Sequence, residues 1–209
     1  MDDAVFRTVA GDFETEIEEK RSRFIAAVRR VSTAAEAEAF VRTRKKAHPA
    51  ARHTVYAYLL RDGTLRYADD GEPQGTAGLP TLEQIRHAGL SDVCVATTRY
   101  FGGILLGTGG LTRAYAGAAK AALSGAPIIA YITFTRLTVS LSYTDYQKLM
   151  QELPRFDGRE ETCDFADAVT LTCRVPASVA DAFSARVVDM TAGRSTPVVL
   201  GDVPDILPS

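Results

Sequence analysis

Two glycine-rich stretches, the first of them strongly polar, set the terms for the first 125 residues. One runs Asp69-Asp70-Gly71-Glu72-Pro73-Gln74-Gly75-Thr76-Ala77-Gly78, the other from Arg99 to Gly110. Glycine and proline at this density break helices and strands alike, so both stretches read as loops. Each follows a β-rich run and leads into a helical pattern. The chain around them must therefore supply strands that end, and helices that begin, at two comparable places.

The flanking sequence meets that demand. Residues 13–31 alternate loosely in polarity and predict two strands or a hairpin. Thr33 suits the N-cap of a helix reaching about Lys46, which His48-Pro49 ends. Val55–Leu60 and Thr64–Tyr67 predict strands joined by an Asp62-Gly63 turn. Pro80 fits the first turn of a helix to Ala88, with Gly89 beyond its end. Asp92–Thr98 predicts a short buried strand. Leu111, Ala114, Tyr115, Ala118, Ala119, Ala122 and Leu123 form one helical stripe, so a helix is expected over 111–124.

Gly125-Ala126-Pro127 reads as a boundary, giving domains 1–128 and 129–209. Beyond it the pattern predicts a strand at 131–142, a helix capped by Thr144 and running to Leu153, and strands at 159–164 and 168–175. A helix at 178–190 stopped by Gly193 and a strand at 195–200 follow. This is the β-α-β-β-α-β order of a ferredoxin-like domain. Pro204 and Pro208 make residues 203–209 a loose tail. The class is α+β.

Composition excludes some functions. With 46% hydrophobic and 24% charged residues the chain is ordinary globular material. It has no apolar run long enough to span a bilayer, and its acidic start lacks an apolar signal segment, so a cytoplasmic protein with no membrane partner is expected. Cys94, Cys163 and Cys173 form neither a disulfide framework nor a zinc signature and read as reduced, packed thiols.

Charge is unevenly spread. The first 125 residues carry 17 Lys and Arg against 15 Asp and Glu, the remainder 7 against 11. Residues 20–52 hold Lys20, Arg21, Arg23, Arg29, Arg30, Arg42, Arg44, Lys45, Lys46 and Arg52, opposed within the segment only by Glu36 and Glu38. Phosphate contact and a solvated face are equally open readings of this cluster.

The second loop offers the clearer chemistry. Gly102, Gly103, Gly107, Gly109 and Gly110 let backbone N–H groups approach a ligand, and a helix start beyond them is a natural anion site. Arg99 and Arg113 add charge-assisted donors, and Tyr100 and Phe101 a stacking face for a base. His53, just before a strand, is a candidate to face the same cleft, with a structural role the favoured reading. Neither a Walker-type loop nor a Rossmann fingerprint fits, because no lysine follows the glycines and the last position of G-x-G-x-x-G/A fails. In the first loop Asp69, Asp70 and Glu72 form a weak candidate for a hard cation, with capping of turns and the next helix as the alternative. No nucleophile–base pair is assembled by spacing, and no cofactor is expected.

The strings YADDGEPQGTAGLP (67–80) and RYFGGILLGTGGLTRAY (99–115), with KRSRFIA (20–26) and His53, resemble the IMPACT family in its bacterial YigZ-like branch. The resemblance implies an N-terminal α/β domain of the kind found in a ribosomal small-subunit protein and in elongation factor G domain IV. It also implies a ferredoxin-like C-terminal domain. It carries Asp69, Asp70, Gly71, Glu72, Pro73, Gly75, Thr76 and Gly78 in one motif and Arg99, Tyr100, Gly102, Gly103, Gly107, Gly109, Gly110 and Tyr115 in the other. It implies RNA or ribosome binding, as in a translation regulator. An enzyme acting on a small phosphorylated or nucleotide substrate and a protein-interaction adaptor are the alternatives.

Overall fold

The computed structural model describes residues 4–206. They form two compact units, one spanning Phe6–Ile129 and the other joining residues 4–5 to 130–206. Each contains helices and an antiparallel sheet.

In the N-terminal unit the strands are β2 (Phe13–Glu19), β3 (Ser22–Arg30), β4 (His53–Leu59), β5 (Leu65–Ala68) and β6 (Val93–Tyr100). β1 (Ala4–Val9) precedes them and belongs to the other sheet. Their order is β2-β3-β6-β4-β5, antiparallel throughout. Both faces of the central strands are apolar, which is why Val93–Thr98 shows no alternation: a strand covered on both sides has no polar face to display.

One face meets α1 (Ala34–Ala47), whose Ala37, Phe40 and Val41 pack on Ala27, Tyr58, Cys94 and Ala96. Thr33 caps this helix, its hydroxyl oxygen accepting from the Glu36 N–H at 3.2 Å, and Glu36 reaches back to the Ser32 N–H at 2.6 Å. Those bonds to Ser32 hold the Glu36 carboxyl below its usual pKa. The opposite face meets α2 (Gly78–His87) and α3 (Gly107–Gly125). All seven stripe residues of α3 are buried against Phe24, Ala26, Val28, Val55, Ala57, Val93 and Val95.

Three sequence expectations need correction. The last helix of this unit begins at Gly107, not Leu111, so Gly107-Thr108-Gly109-Gly110 is its first turn. The apolar stripe starts later because that first turn does not face the core. In the second unit α4 (Tyr143–Glu152) is capped by Ser142, not Thr144: the Ser142 oxygen accepts from the Asp145 N–H at 3.1 Å. The last strand, β10, is Val198–Ile206, so Val203–Ile206 is paired rather than loose. Pro204 sits opposite Thr133 on a strand that among the described residues pairs only with β7, and sheet edges are where proline is tolerated. Residues 207–209 of the expected tail lie outside the described residues.

The second unit otherwise holds β7 (Ile128–Leu141), β8 (Arg159–Phe165), β9 (Val169–Pro176) and α5 (Ala180–Met190). β7, β9 and β8 are neighbours in that order, and β10 and β1 each pair with β7. Leu149 and Leu153, at and just beyond the end of α4, and Phe183 and Val187 of α5 pack on Leu137, Leu141, Leu171 and Val175. All three cysteines are free; Cys163 is only half-buried, whereas burial pushes the Cys94 thiol up to about 12. No helix among the described residues is long and apolar enough to cross a membrane.

Candidate functional site

Antiparallel register places Phe24 of β3 and His53 of β4 opposite Arg99 of β6, in one row across the sheet. The row lies on the face covered by α2 and α3, since Phe24 belongs to that core. Arg99 is the hub. Its guanidinium lies 5.5 Å from the Phe24 ring centroid and 5.6 Å from that of Phe101. Arg99 Nη1 donates to both Glu72 oxygens, at 2.8 and 3.1 Å, and Nη2 to Ser22 Oγ at 3.4 Å. The Tyr115 hydroxyl donates to Glu72 Oε1 at 2.7 Å. The two charged side chains are 8% and 3% exposed. Burial, then the bond to Glu72, raises the Tyr115 pKa, so this phenol stays a donor. Arg99 Nε is buried without a partner.

The acidic loop is consumed internally. Asp69 accepts from the backbone N–H groups of Gly75, Ala77 and Gly78 and so ties down the start of α2. Asp70 accepts from Thr54 N–H at 2.7 Å and from Lys45 at 2.5 Å, and Glu72 takes Arg99 and Tyr115. The cation reading of Asp69, Asp70 and Glu72 is therefore corrected: each carboxylate has a separate structural partner. The loop's other motif residues shape it. Asp70 and Gly71 are left-handed, with φ of 48° and 88°. Thr76 donates to the Pro73 carbonyl at 2.6 Å, and a side chain on Gly78 would meet the Ala68 backbone at 2.8 Å. Gly75, also at positive φ, faces open space.

The residues of the second loop separate. Tyr100 points to the α1 side of the sheet, away from Arg99, because neighbours in a strand face opposite ways. There its hydroxyl meets His48 Nδ1 at 3.0 Å, and Arg23 lies over its ring. Tyr100 and Phe101 thus form no shared stacking platform. Phe101 is 53% exposed and Leu105 82% exposed. Gly102 is pressed against the β2–β3 turn: a Cβ there would sit 2.0 Å from the Arg21 carbonyl carbon. Gly103 and Gly107 take positive φ beside open space. Gly109 borders Arg113, which is exposed, while Gly110 is buried against Leu106. No side chain caps the α3 N-terminus.

His53 donates from Nδ1 to the Asp70 carbonyl at 2.8 Å, because a carbonyl can only accept. With Arg52, Arg99, Phe101 and Leu105 it lines an open cavity of about 210 Å³. Arg52 and Leu105 escaped the motif reading. Arg52 was visible only as one charge in the basic segment, and Leu105 only as one of several apolar residues in the second loop.

Half of that basic segment is held in ion pairs. β2 supplies carboxylates distant in sequence: Asp12, just before it, pairs with Arg29, Glu16 with Arg23 at 2.6 Å and Glu14 with Arg44 at 2.5 Å. Arg42 approaches Glu38, and Lys45 takes Asp70. Among the described residues Lys20, Arg21, Lys46 and Arg52 are exposed and carry no ion pair. Arg21 borders Gly102, and Arg52 lines the cavity.

His48 gives a pH test. Arg44 Nη2 donates to His48 Nε2 at 3.0 Å, which requires a neutral imidazole. Burial first, then the Arg44 charge, lowers its pKa below the usual histidine value. The unfolded chain therefore binds the proton more readily. The stability contributed is complete above pH about 6.5 and declines as pH falls through that value toward the folded pKa. Urea midpoints are expected to fall between pH 7 and 5, less steeply in His48→Gln; equal slopes would contradict this.

Residues 20–123 match the Impact N-terminal domain, and residues 139–194 match a domain of unknown function, DUF1949. The chain is 37% identical over 188 residues to the IMPACT family member YvyE of Bacillus subtilis, covering 89% of this chain and 86% of that one. It is 35% identical over 184 residues to the IMPACT family member YigZ of Escherichia coli, covering 86% and 90%. A crystal structure of a hypothetical protein aligns with TM-score 0.60 at 32% identity, covering 94% of this chain and 97% of that one.

Proposed function

The chain belongs to the IMPACT family, and from that premise we propose that its N-terminal unit binds RNA, as on a ribosome, through the sheet end that carries Arg99 and the second glycine-rich loop. The observation that carries this reading is an open cavity bordered by Arg52 and His53, with no carboxylate in its lining. The loop that walls it leads straight into an α3 N-terminus with no side-chain cap, and exposed Arg113, nearly two turns in, reaches back to Gly109 in the first turn. Free amides, the positive end of a helix and exposed arginines suit phosphodiesters.

Arg99 acts in this reading as the floor of the site and Arg52 and Arg113 as its phosphate contacts. The acidic loop lends no support to nucleotide chemistry through a metal, since its carboxylates are occupied. We extend the proposal to the second unit: strand order β10-β7-β9-β8 with helices after β7 and β9 supports a ferredoxin-like fold. The ribosomal-protein-like reading of the first unit and a cytoplasmic, translation-related role belong to the same proposal.

The test is binding of a single-stranded RNA oligonucleotide across a salt series. Affinity is expected to fall with a log–log slope of about −0.7 per phosphate contact. Arg52→Ala with Arg113→Ala should make the slope shallower by about 1.4, the share of two contacts. Salt-independent affinity, or an unchanged slope in the double variant, would overturn the proposal.

A further inference from the structure

We infer that the cavity between Phe101, Leu105, Arg52 and His53 takes one unpaired nucleobase, so that the protein prefers single-stranded RNA to duplex; this rests on the RNA-binding reading above. The first ground is shape. Small-molecule sites ordinarily occupy about 300–1,000 Å³. At about 210 Å³ the cavity is below that range, and it suits one heterocycle rather than a whole nucleotide.

The second ground is the chemistry of the walls. Phe101 and Leu105 are carbon surfaces left unusually exposed, and a bare phosphate would gain nothing from them. A phosphate would also want the guanidinium of Arg99, which is held by Glu72 and sandwiched between Phe24 and Phe101. A flat ring with an apolar face and a polar rim fits what remains. It can lie along the aromatic and aliphatic walls, as bases do on single-strand binding proteins.

The third ground is the polar edge. His53 spends its Nδ1 proton on the Asp70 carbonyl, so in the neutral ring Nε2 is left with a lone pair. It can accept an N–H from a base edge, while Arg52 at the rim remains free for the adjoining phosphate. The imidazole cannot swap these roles without losing its bond to Asp70. Gly71 leaves room for the ring in that position, since a Cβ there would come within 3.2 Å of His53 Nδ1. A base inside a duplex has its edge paired and both faces stacked, so only an unstacked one can enter.

The experiment compares three ligands of one length at one ionic strength: a base-bearing single strand, the same strand made abasic, and the corresponding duplex. The base-bearing strand is expected to bind about ten-fold more tightly than either other ligand. Phe101→Ala should remove most of that preference while leaving the salt slope unchanged. Leu105→Ala, at a position too exposed to matter for folding, should reduce it and guards against a folding defect in the first variant. Equal affinity for all three ligands, with a normal salt slope, overturns the base pocket and leaves RNA binding standing. Salt-dependent binding to none of them defeats the RNA reading itself. Adenosine monophosphate binding as tightly as the strand would assign the pocket to free nucleotides and overturn the inference.

Discussion

Arg99→Ala is expected to destabilise the N-terminal unit by about 3–5 kcal/mol, because it leaves Glu72 charged, buried and short of its main partner. Glu72 would keep only the Tyr115 hydroxyl, and Phe24 would lose the guanidinium packed against it. Removing one member of such a pair costs far more than the pair contributes, since the penalty is the desolvation of the survivor. It follows that Arg99→Met combined with Glu72→Leu should recover much of the loss, although Tyr115 then lacks an acceptor. Arg113→Ala, at an exposed position, should change stability by about 0.5 kcal/mol or less. The chain has no tryptophan, so amide exchange of residues 6–129 during urea unfolding is the suitable measurement. A shift below about 1 kcal/mol for Arg99→Ala would mean that Glu72 finds water or takes a proton, contrary to its burial.

Gly102→Ala should be as damaging, by about 3 kcal/mol or more, for a reason unrelated to charge. Its Cβ would fall 2.0 Å from the carbonyl carbon of Arg21, 2.1 Å from its oxygen and 2.4 Å from Ser22 N. Those are backbone atoms in a turn where Lys20 and Arg21 already hold positive φ, so no side chain can rotate away. Either the β2–β3 turn or the loop after β6 must move. The Gly102 N–H bond to Ser22 Oγ, 3.2 Å, and the Ser22–Arg99 contact would be lost with it. By contrast Gly103→Ala meets open space and carries only the cost of its φ of 82°. A Gly102→Ala protein as stable as Gly103→Ala would show that the turn and loop are not held together.

Local chemistry made most of the fold legible. Thr33, the Asp62-Gly63 turn and the stripe from Leu111 to Leu123 each state their structure within a few residues. Such signals delimited most of the strands, but β1 and the order and pairing of the strands in the first sheet were not legible in them. Where the reading erred, the deciding contact was elsewhere in the chain or the residue type was ambiguous. Gly107, Gly109 and Gly110 look like loop until they are seen as the first turn of a helix, exposed up to Gly109. Pro204 looks like a strand breaker unless it is known to sit on an edge. The site suffered more from this than the fold. Nothing near Arg99 announces that its partner is Glu72, and nothing in residues 20–52 reveals that Asp12, Glu14 and Glu16 lie alongside. Arg52 and Leu105 become notable only once β4 and the second loop share a wall.

The carboxylates of and before β2 also limit how a polyanion could be held. By occupying Arg23, Arg29 and Arg44 they remove the flank of the sheet as a track for a long strand. Beside the second loop, Arg21, Arg52 and Arg113 are exposed and carry no ion pair among the described residues. A nucleic acid gripped there would be pinched over a short span, with its remainder free to run on to something else.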